Sequence, residues 1–133
     1  MALTVAFSTM DGENIFADDH AGMATYFDLY EISADDASFV ERHDNSKFPG
    51  DESMRHGDPK KAKKSLSALD GADVWASFRF GPNLPRLLKK ISCVVVRTDT
   101  IENGIKLIQN NYDKVLTEHE NGADRSHVVL SPE

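Results

Sequence analysis

The sequence predicts one α/β domain built on a mixed β-sheet, and three observations lead to this prediction. The chain has 133 residues, a common length for a single domain. Its first third alternates apolar and polar residues on either side of a turn, which is typical of paired strands. Its second half alternates β-branched runs with segments of helical period, which is typical of strand–helix–strand units. We expect the domain at residues 1–118 and a polar tail at residues 119–133.

Three strands are predicted before residue 45. Strand one ends at Asp11-Gly12, a turn signal, and strands two and three form a hairpin around residues 34–36. A polar loop at residues 45–57 follows, and a loop of that length in a small domain is usually functional or mobile. The predicted strands lie at residues 3–8, 25–33 and 38–42.

Helices and strands alternate from Asp58 onward. Asp58-Pro59 begins a first helix, because Asp is a good N-cap and Pro is tolerated at the first helical position. Strand four covers residues 73–78, and strand five, residues 93–97, is apolar throughout, as a buried parallel strand should be. Two further helices have apolar stripes at helical spacing: Leu84, Leu87, Leu88 and Ile91, then Ile101, Ile105, Ile108, Tyr112 and Val115, with Thr98-Asp99-Thr100 as the cap of the second. Residues 127–130 add a short strand or stay irregular.

Charge and cysteine content narrow the function. The formal charge is −7, so nucleic acid is a poor candidate partner. Cys93 is the one cysteine, which excludes an intramolecular disulfide, and it is expected to be a small core residue. We read no signal peptide and no apolar run near the roughly 20 residues that span a bilayer. We therefore expect a cytoplasmic protein with no membrane partner.

Several segments, in this order, resemble the dinitrogenase iron–molybdenum cofactor biosynthesis family. No single motif is specific, but the order and spacing of the segments are similar across residues 3–112. The segments are Asp19-His20-Ala21-Gly22 before an aromatic strand, Met54-Arg55-His56-Gly57 before a helix, Gly71-Ala72-Asp73-Val74, and Phe80-Gly81-Pro82-Asn83.

The resemblance implies a fold and a function. The fold is a ribonuclease H-like three-layer α/β/α domain with a mixed five-stranded sheet of order 3-2-1-4-5, strand two being antiparallel. The function is binding or carrying an iron–molybdenum or related metal–sulfur cluster during cofactor assembly, with assembly or acceptor proteins as partners. The chain departs from the family where Phe78-Arg79 stands in place of Gly-Gly, which narrows the approach of a bulky ligand to the backbone.

In the implied strand order, ligands bind at the switch point between strands one and four, outside their carboxyl ends. An anionic, soft cluster is held by positive side chains, helix N-termini and a few His or Cys ligands. This chemistry predicts His20 and His56 as metal ligands. The alternative is that His20 is a loop histidine bonded to a neighbouring Asp and that His56 is simply exposed. Four further residues are predicted to contact the cluster: Arg55, Arg79, Gly81 and Asn83.

Two other functions compete with the carrier. A two-metal nuclease would need an acid on strand one, and Thr4-Val5-Ala6-Phe7 carries none; with no GxSxG, HExxH or P-loop motif either, no catalytic activity is expected. A ligand-free interaction or scaffold domain of the same fold is the main alternative, and Phe78-Arg79 favours it.

Overall fold

The computed structural model describes residues 2–15, 26–44, 69, 71–80 and 84–132, apart from the side chain of Arg86. The polar loop predicted at residues 45–57 lies outside these residues, as does the first predicted helix except for Leu69. The elements, in chain order, are β1 (Leu3–Thr9), β2 (Tyr26–Ile32), β3 (Ala37–Asp44), β4 (Val74–Ser77), α1 (Leu84–Leu87), β5 (Ser92–Val96), α2 (Ile101–Asn110), α3 (Tyr112–Glu120), a 3₁₀ turn (Gly122–Asp124) and β6 (Val128–Leu130).

The described strands form one six-stranded sheet with the order β3-β2-β1-β4-β5-β6. Strands β1, β2 and β3 form an antiparallel meander, whereas β1, β4, β5 and β6 run parallel to one another. The mixed α/β class and the partly antiparallel sheet are therefore confirmed. The sheet has six strands rather than five, because Val128 and Leu130 are buried and β6 pairs with β5 within the segment expected to be a polar tail.

Both faces of the central strands are buried. Val5, Phe7, Val74 and Val94 point to the face covered by α2 and α3, where Ile108 and Val115 pack against them. On the opposite face a second cluster contains Ala6, Phe27, Leu29, Leu69, Trp75, Leu87, Ile91 and Cys93. The near-continuous burial of β4 and β5 follows from this two-sided packing, as is usual for parallel strands.

The helical segment after β5 divides into two helices at Asn111, where a single helix was predicted. Asn111 leaves the helical backbone region, and its Nδ2 donates a hydrogen bond of 2.8 Å to the carbonyl of Leu107. The apolar stripe predicted for this segment is buried, apart from Ile105, which is partly buried. The helix α2 has ten residues, and no helix in the described part is long and apolar enough to cross a membrane.

Candidate functional site

One of the six predicted site residues lies in the described part of the chain. Arg79 follows β4 by two residues, and its side chain is exposed at the carboxyl edge of the sheet. The other five lie outside the described residues: His20, Arg55, His56, Gly81 and Asn83. The described residues therefore give the position of Arg79. Whether the other five predicted residues lie near it stays a prediction.

The strands β1 and β4 lie side by side. After their carboxyl ends, the chain continues in opposite directions along the sheet. The chain after β1 proceeds to β2 on one side, and the chain after β4 proceeds to β5 on the other. Ligands of open α/β sheets bind at such a switch point. The buried polar residues Ser8 and Ser77 stand at this edge, and Trp75 Nε1 donates a 2.7 Å hydrogen bond to Ser8 Oγ.

The loop that follows β1 is held by its own polar groups. Asp11 Oδ1 accepts hydrogen bonds from the backbone N–H groups of Glu13 at 2.9 Å and Asn14 at 2.8 Å. These bonds, the one from Asn14 first, lower the pKa of Asp11 to about 2. Thr9 Oγ1 donates to the Asn14 carbonyl at 2.8 Å. These hydrogen bonds hold the loop in one conformation. Because the Asp11 carboxylate is negatively charged, the loop does not itself attract an anion.

The N-terminus of α2 lies beside this loop, and N–H groups of its first turn already donate hydrogen bonds within the protein. The Ile101 N–H donates to the Glu13 carbonyl at 2.9 Å, and the Asn103 N–H donates to Thr100 Oγ1 at 3.2 Å. A helix N-terminus binds anions through N–H groups that lack partners. Because these donors are engaged, positive side chains are the better source of anion affinity at this edge.

A second arginine at this edge, Arg97, is absent from the residues predicted from sequence. It directly follows β5, its side chain is exposed, and its guanidinium carbon lies 5.2 Å from the centroid of the Phe78 ring. Its backbone N–H donates to the Leu130 carbonyl at 2.9 Å. The available signal was its position, an arginine immediately after a buried parallel strand, where the carboxyl edge must lie.

A third arginine, Arg42 of β3, is neutralised within the fold. Its guanidinium forms a two-bond ion pair with Asp28, at 2.7 Å from Nε and 3.1 Å from Nη2. It also lies over the Tyr26 ring, 4.4 Å from the centroid. Because the Asp28 carboxylate is buried, its charge would be costly without a partner, and Arg42 compensates that charge. The ion pair joins β2 to β3 within the hairpin.

Comparison with known protein families gives a match over most of the chain. The model of the dinitrogenase iron-molybdenum cofactor family matches residues 1–123. The chain belongs to this family. No curated protein sequence matches the chain. The family match includes the switch point, Arg79 and Arg97, and it ends before β6.

This member of the dinitrogenase iron-molybdenum cofactor family shows no preformed metal centre in its described part. No group of three or more His, Cys, Asp or Glu side chains among the described residues is arranged to hold a metal ion. Cys93 is buried in the core, and desolvation raises the pKa of its thiol to about 12, so it stays a neutral thiol. Its predicted place in the core is confirmed.

Beyond Arg97, the carboxyl edge of this family member continues into an open groove of about 690 Å³. The groove runs between the ends of β5 and β6 and one side of α2, and among the described residues that line it only Lys106 has a charged side chain. The other lining residues are Thr98, Asn103, Leu107, Asn110, Asn111, Ser131 and Pro132.

Proposed function

We propose that the protein binds and carries an anionic metal–sulfur cluster, iron–molybdenum or related, during cofactor assembly. The observation that carries this proposal is the match of the family model over residues 1–123. The ribonuclease H-like classification of the domain belongs to the same proposal. The ligand is cargo to be passed to an acceptor protein in the cytoplasm, and we propose no catalytic step.

The proposed site is the carboxyl edge at β1, β4 and β5. Arg79 and Arg97 supply positive charge there on a chain whose overall charge is −7. Guanidinium groups form directional, charge-assisted hydrogen bonds with anions and are weakly hydrated, which suits a large, soft anion. In this proposal His20 and His56 provide metal ligands, and Arg55, Gly81 and Asn83 provide further polar contacts.

Retention of a cluster tests the proposal. Protein purified without oxygen is incubated with isolated iron–molybdenum cluster, separated from free cluster by gel filtration, and assayed for molybdenum, iron and sulfide. The expected result is a coloured protein that carries cluster in a fixed ratio. His20→Ala and Arg79→Ala should each reduce retention by roughly tenfold or more, the loss expected for one charged or ligand contact.

A matched control separates local from general charge effects. Lys90 is an exposed cation in the turn before β5, at the opposite edge of the sheet, so Lys90→Ala removes the same unit charge away from the site. Equal retention by Lys90→Ala and the unaltered protein is expected. Equal losses in Lys90→Ala and Arg79→Ala would mean nonspecific attraction and would contradict the proposed site.

A ligand-free interaction domain is the second candidate. The observation that favours it is Phe78-Arg79, where the family pattern has glycines: the Phe78 ring is partly buried against the core and occupies space that a glycine would leave open. An interaction domain purified without oxygen from its native host would be colourless, whereas a carrier would absorb visible light.

A further inference from the structure

The outer edge of β6 carries main-chain groups that its pairing with β5 does not use. In the described part of the chain, β6 is the last strand of the sheet and β5 is its neighbour. The Leu130 carbonyl accepts a 2.9 Å hydrogen bond from the Arg97 N–H, so the main-chain groups of Leu130 point toward β5. Successive residues of a strand turn these groups to alternate sides. Val129 therefore directs its N–H and C=O groups away from β5, toward the outer edge.

A groove of about 560 Å³, here called the β6 groove, lies along this edge. One wall is the edge itself, at Val128 and Val129, and the other wall is a polar side of α3. Extended peptides bind proteins by adding a strand to such an edge, and the walls beside the edge select their side chains. The α3 residues that bear on this selection are Asp113, Lys114, Thr117 and Glu118.

The groove beside α2 follows the β6 groove along the direction of β6. Val128 and Val129 line the β6 groove, whereas Ser131 and Pro132, which come next in the chain, line the groove beside α2. The helical wall passes in the same way from α3 to α2. A segment that pairs with β6 therefore has a helical wall beside it along the whole strand.

The opposite edge of the described sheet is less suited to strand addition. The pairing of β3 with β2 has a register shift between Leu29 and Tyr30. Such an irregularity bends a strand and interrupts its row of hydrogen-bonding groups, which is a common protection of sheet edges. β6 pairs with β5 in a regular register, so its outer edge keeps the geometry of a strand.

Burial and charge specify the segment that the β6 groove fits. Val128 faces the core, whereas the Val129 side chain, on the opposite face, is 42% exposed. A partner residue paired with Val129 shares that face, where an apolar, β-branched side chain gains a cross-strand contact. The next residues of the partner point toward α3, where the carboxylates of Asp113 and Glu118 outnumber the ammonium group of Lys114. On a chain of net charge −7, this arrangement favours basic side chains.

We propose that the β6 groove binds an extended, basic segment of a partner protein, which adds one strand to the described sheet. Val129 exchanges main-chain hydrogen bonds with the partner residue paired to it. Asp113 and Glu118 attract the basic side chains that flank that residue. This interaction site is formed by β6 and α3, and it does not depend on a bound cluster.

Amide NMR of the full chain tests the site, with an acetylated and amidated pentapeptide of alternating valine and lysine as the probe. We expect saturable shifts at Val129 and along α3, with slowed hydrogen exchange at the Val129 amide. The same peptide methylated at its backbone nitrogens should bind about tenfold more weakly, because it loses its N–H donors. A peptide with glutamate in place of lysine should bind about threefold more weakly or less tightly still.

Variants of the protein test the two walls of the β6 groove separately. Val129→Pro removes the outward N–H, which proline can replace at a sheet edge, and should weaken binding by about three- to tenfold. Glu118→Gln should weaken binding of the lysine peptide by about two- to fivefold. Glu102→Gln makes the same change at an exposed α2 residue away from both groove linings and should leave binding unchanged. Circular dichroism checks that each variant is folded.

Three results would contradict the proposal. Equal binding of the methylated and unmethylated peptides would leave only nonspecific charge attraction and would overturn strand addition. Absence of binding at millimolar peptide would overturn it as well. Sedimentation of the free protein gives the third: a dimer that Val129→Pro dissociates would assign the edge to a second copy of the chain instead of a basic partner.

Discussion

At the scale of single residues, Gly12 and Gly71 are required for different reasons. Both adopt positive φ angles, +85° at Gly12 and +91° at Gly71, which side chains rarely allow. A Cβ at Gly12 would lie 2.0 Å from Arg42 Nη2, whereas a Cβ at Gly71 would meet nothing within 4 Å. Gly12 therefore makes room for the Arg42–Asp28 ion pair, and Gly71 serves only its turn.

This difference predicts the stability of two matched variants. Gly71→Ala should lower the free energy of unfolding by about 1–2 kcal/mol, the cost of left-handed backbone for a side chain. Gly12→Ala should cost clearly more, by about 1–3 kcal/mol beyond that, because displacing Arg42 leaves the buried Asp28 carboxylate short of hydrogen bonds. Urea unfolding monitored by Trp75 fluorescence measures both. Equal losses would mean that Arg42 moves aside without cost.

Prediction from the sequence worked at residues whose role follows from local pattern. Thr98-Asp99-Thr100 was expected to cap a helix, and within it Thr100 Oγ1 accepts from the Asn103 N–H. Cys93 was expected in the core and is buried there. Arg97 was missed because its contact is with the Phe78 ring, which lies 19 positions earlier in the chain. No local pattern encodes a stacking partner on the neighbouring strand.

At the scale of elements, the start of α2 joins two parts of the carboxyl edge. Thr100 caps the helix and also forms an isolated antiparallel bridge with Asn14 of the β1 loop. Ile15 N–H donates to the Asp99 carbonyl at 2.9 Å, which completes the connection. The position of the β1 loop thus depends on a helix that begins at Ile101, 86 residues after Ile15.

Loss of this cap should therefore destabilise more than one element. Thr100→Ala should lower the unfolding free energy by about 1 kcal/mol, the usual value of an N-cap side chain. Thr100→Ser retains the hydroxyl and should stay within about 0.5 kcal/mol of the unaltered protein. Hydrogen exchange should quicken at the Asn103 amide in Thr100→Ala alone. Unchanged exchange at Asn103 in that variant would argue against the cap.

Among the elements, sequence pattern located the strands well and the helix boundaries less well. The strand predicted at residues 73–78 is Val74–Ser77, and the one at 93–97 is Ser92–Val96. The predicted single helix after Thr100 divides because Asn111 bonds the Leu107 carbonyl with its own side chain. The apolar stripe continues unbroken through that point, so periodicity alone carried no sign of the break.

At the scale of the whole molecule, β6 makes the sheet larger than the sequence pattern indicated. Three residues are too few for a firm strand prediction, and their burial depends on β5 and α3, which only the fold brings together. Val128 and Leu130 are 5% and 3% exposed, whereas Val129 is 42% exposed. This alternation is that of a strand with one face on the core.

The alternation gives a direct test of whether β6 belongs to the cooperative unit. Leu130→Ala should lower the unfolding free energy by about 2–5 kcal/mol, as for a leucine removed from a packed core. Val129→Ala, one position away, should change it by no more than about 0.5 kcal/mol. Thermal unfolding by circular dichroism compares the two. A mild effect of Leu130→Ala would place β6 outside the folded unit.

The hydrogen bond between Arg97 N–H and the Leu130 carbonyl links the shared domain to the stretch of chain beyond it. The family model ends at residue 123, and Leu130 lies after that point. The backbone of an arginine inside the matched range is therefore anchored by a segment outside that range. Two proteins with the same first 123 residues and different continuations would hold this arginine differently. The backbone position of Arg97 is then open to change by substitutions in β6 alone, with every residue of the matched range unchanged.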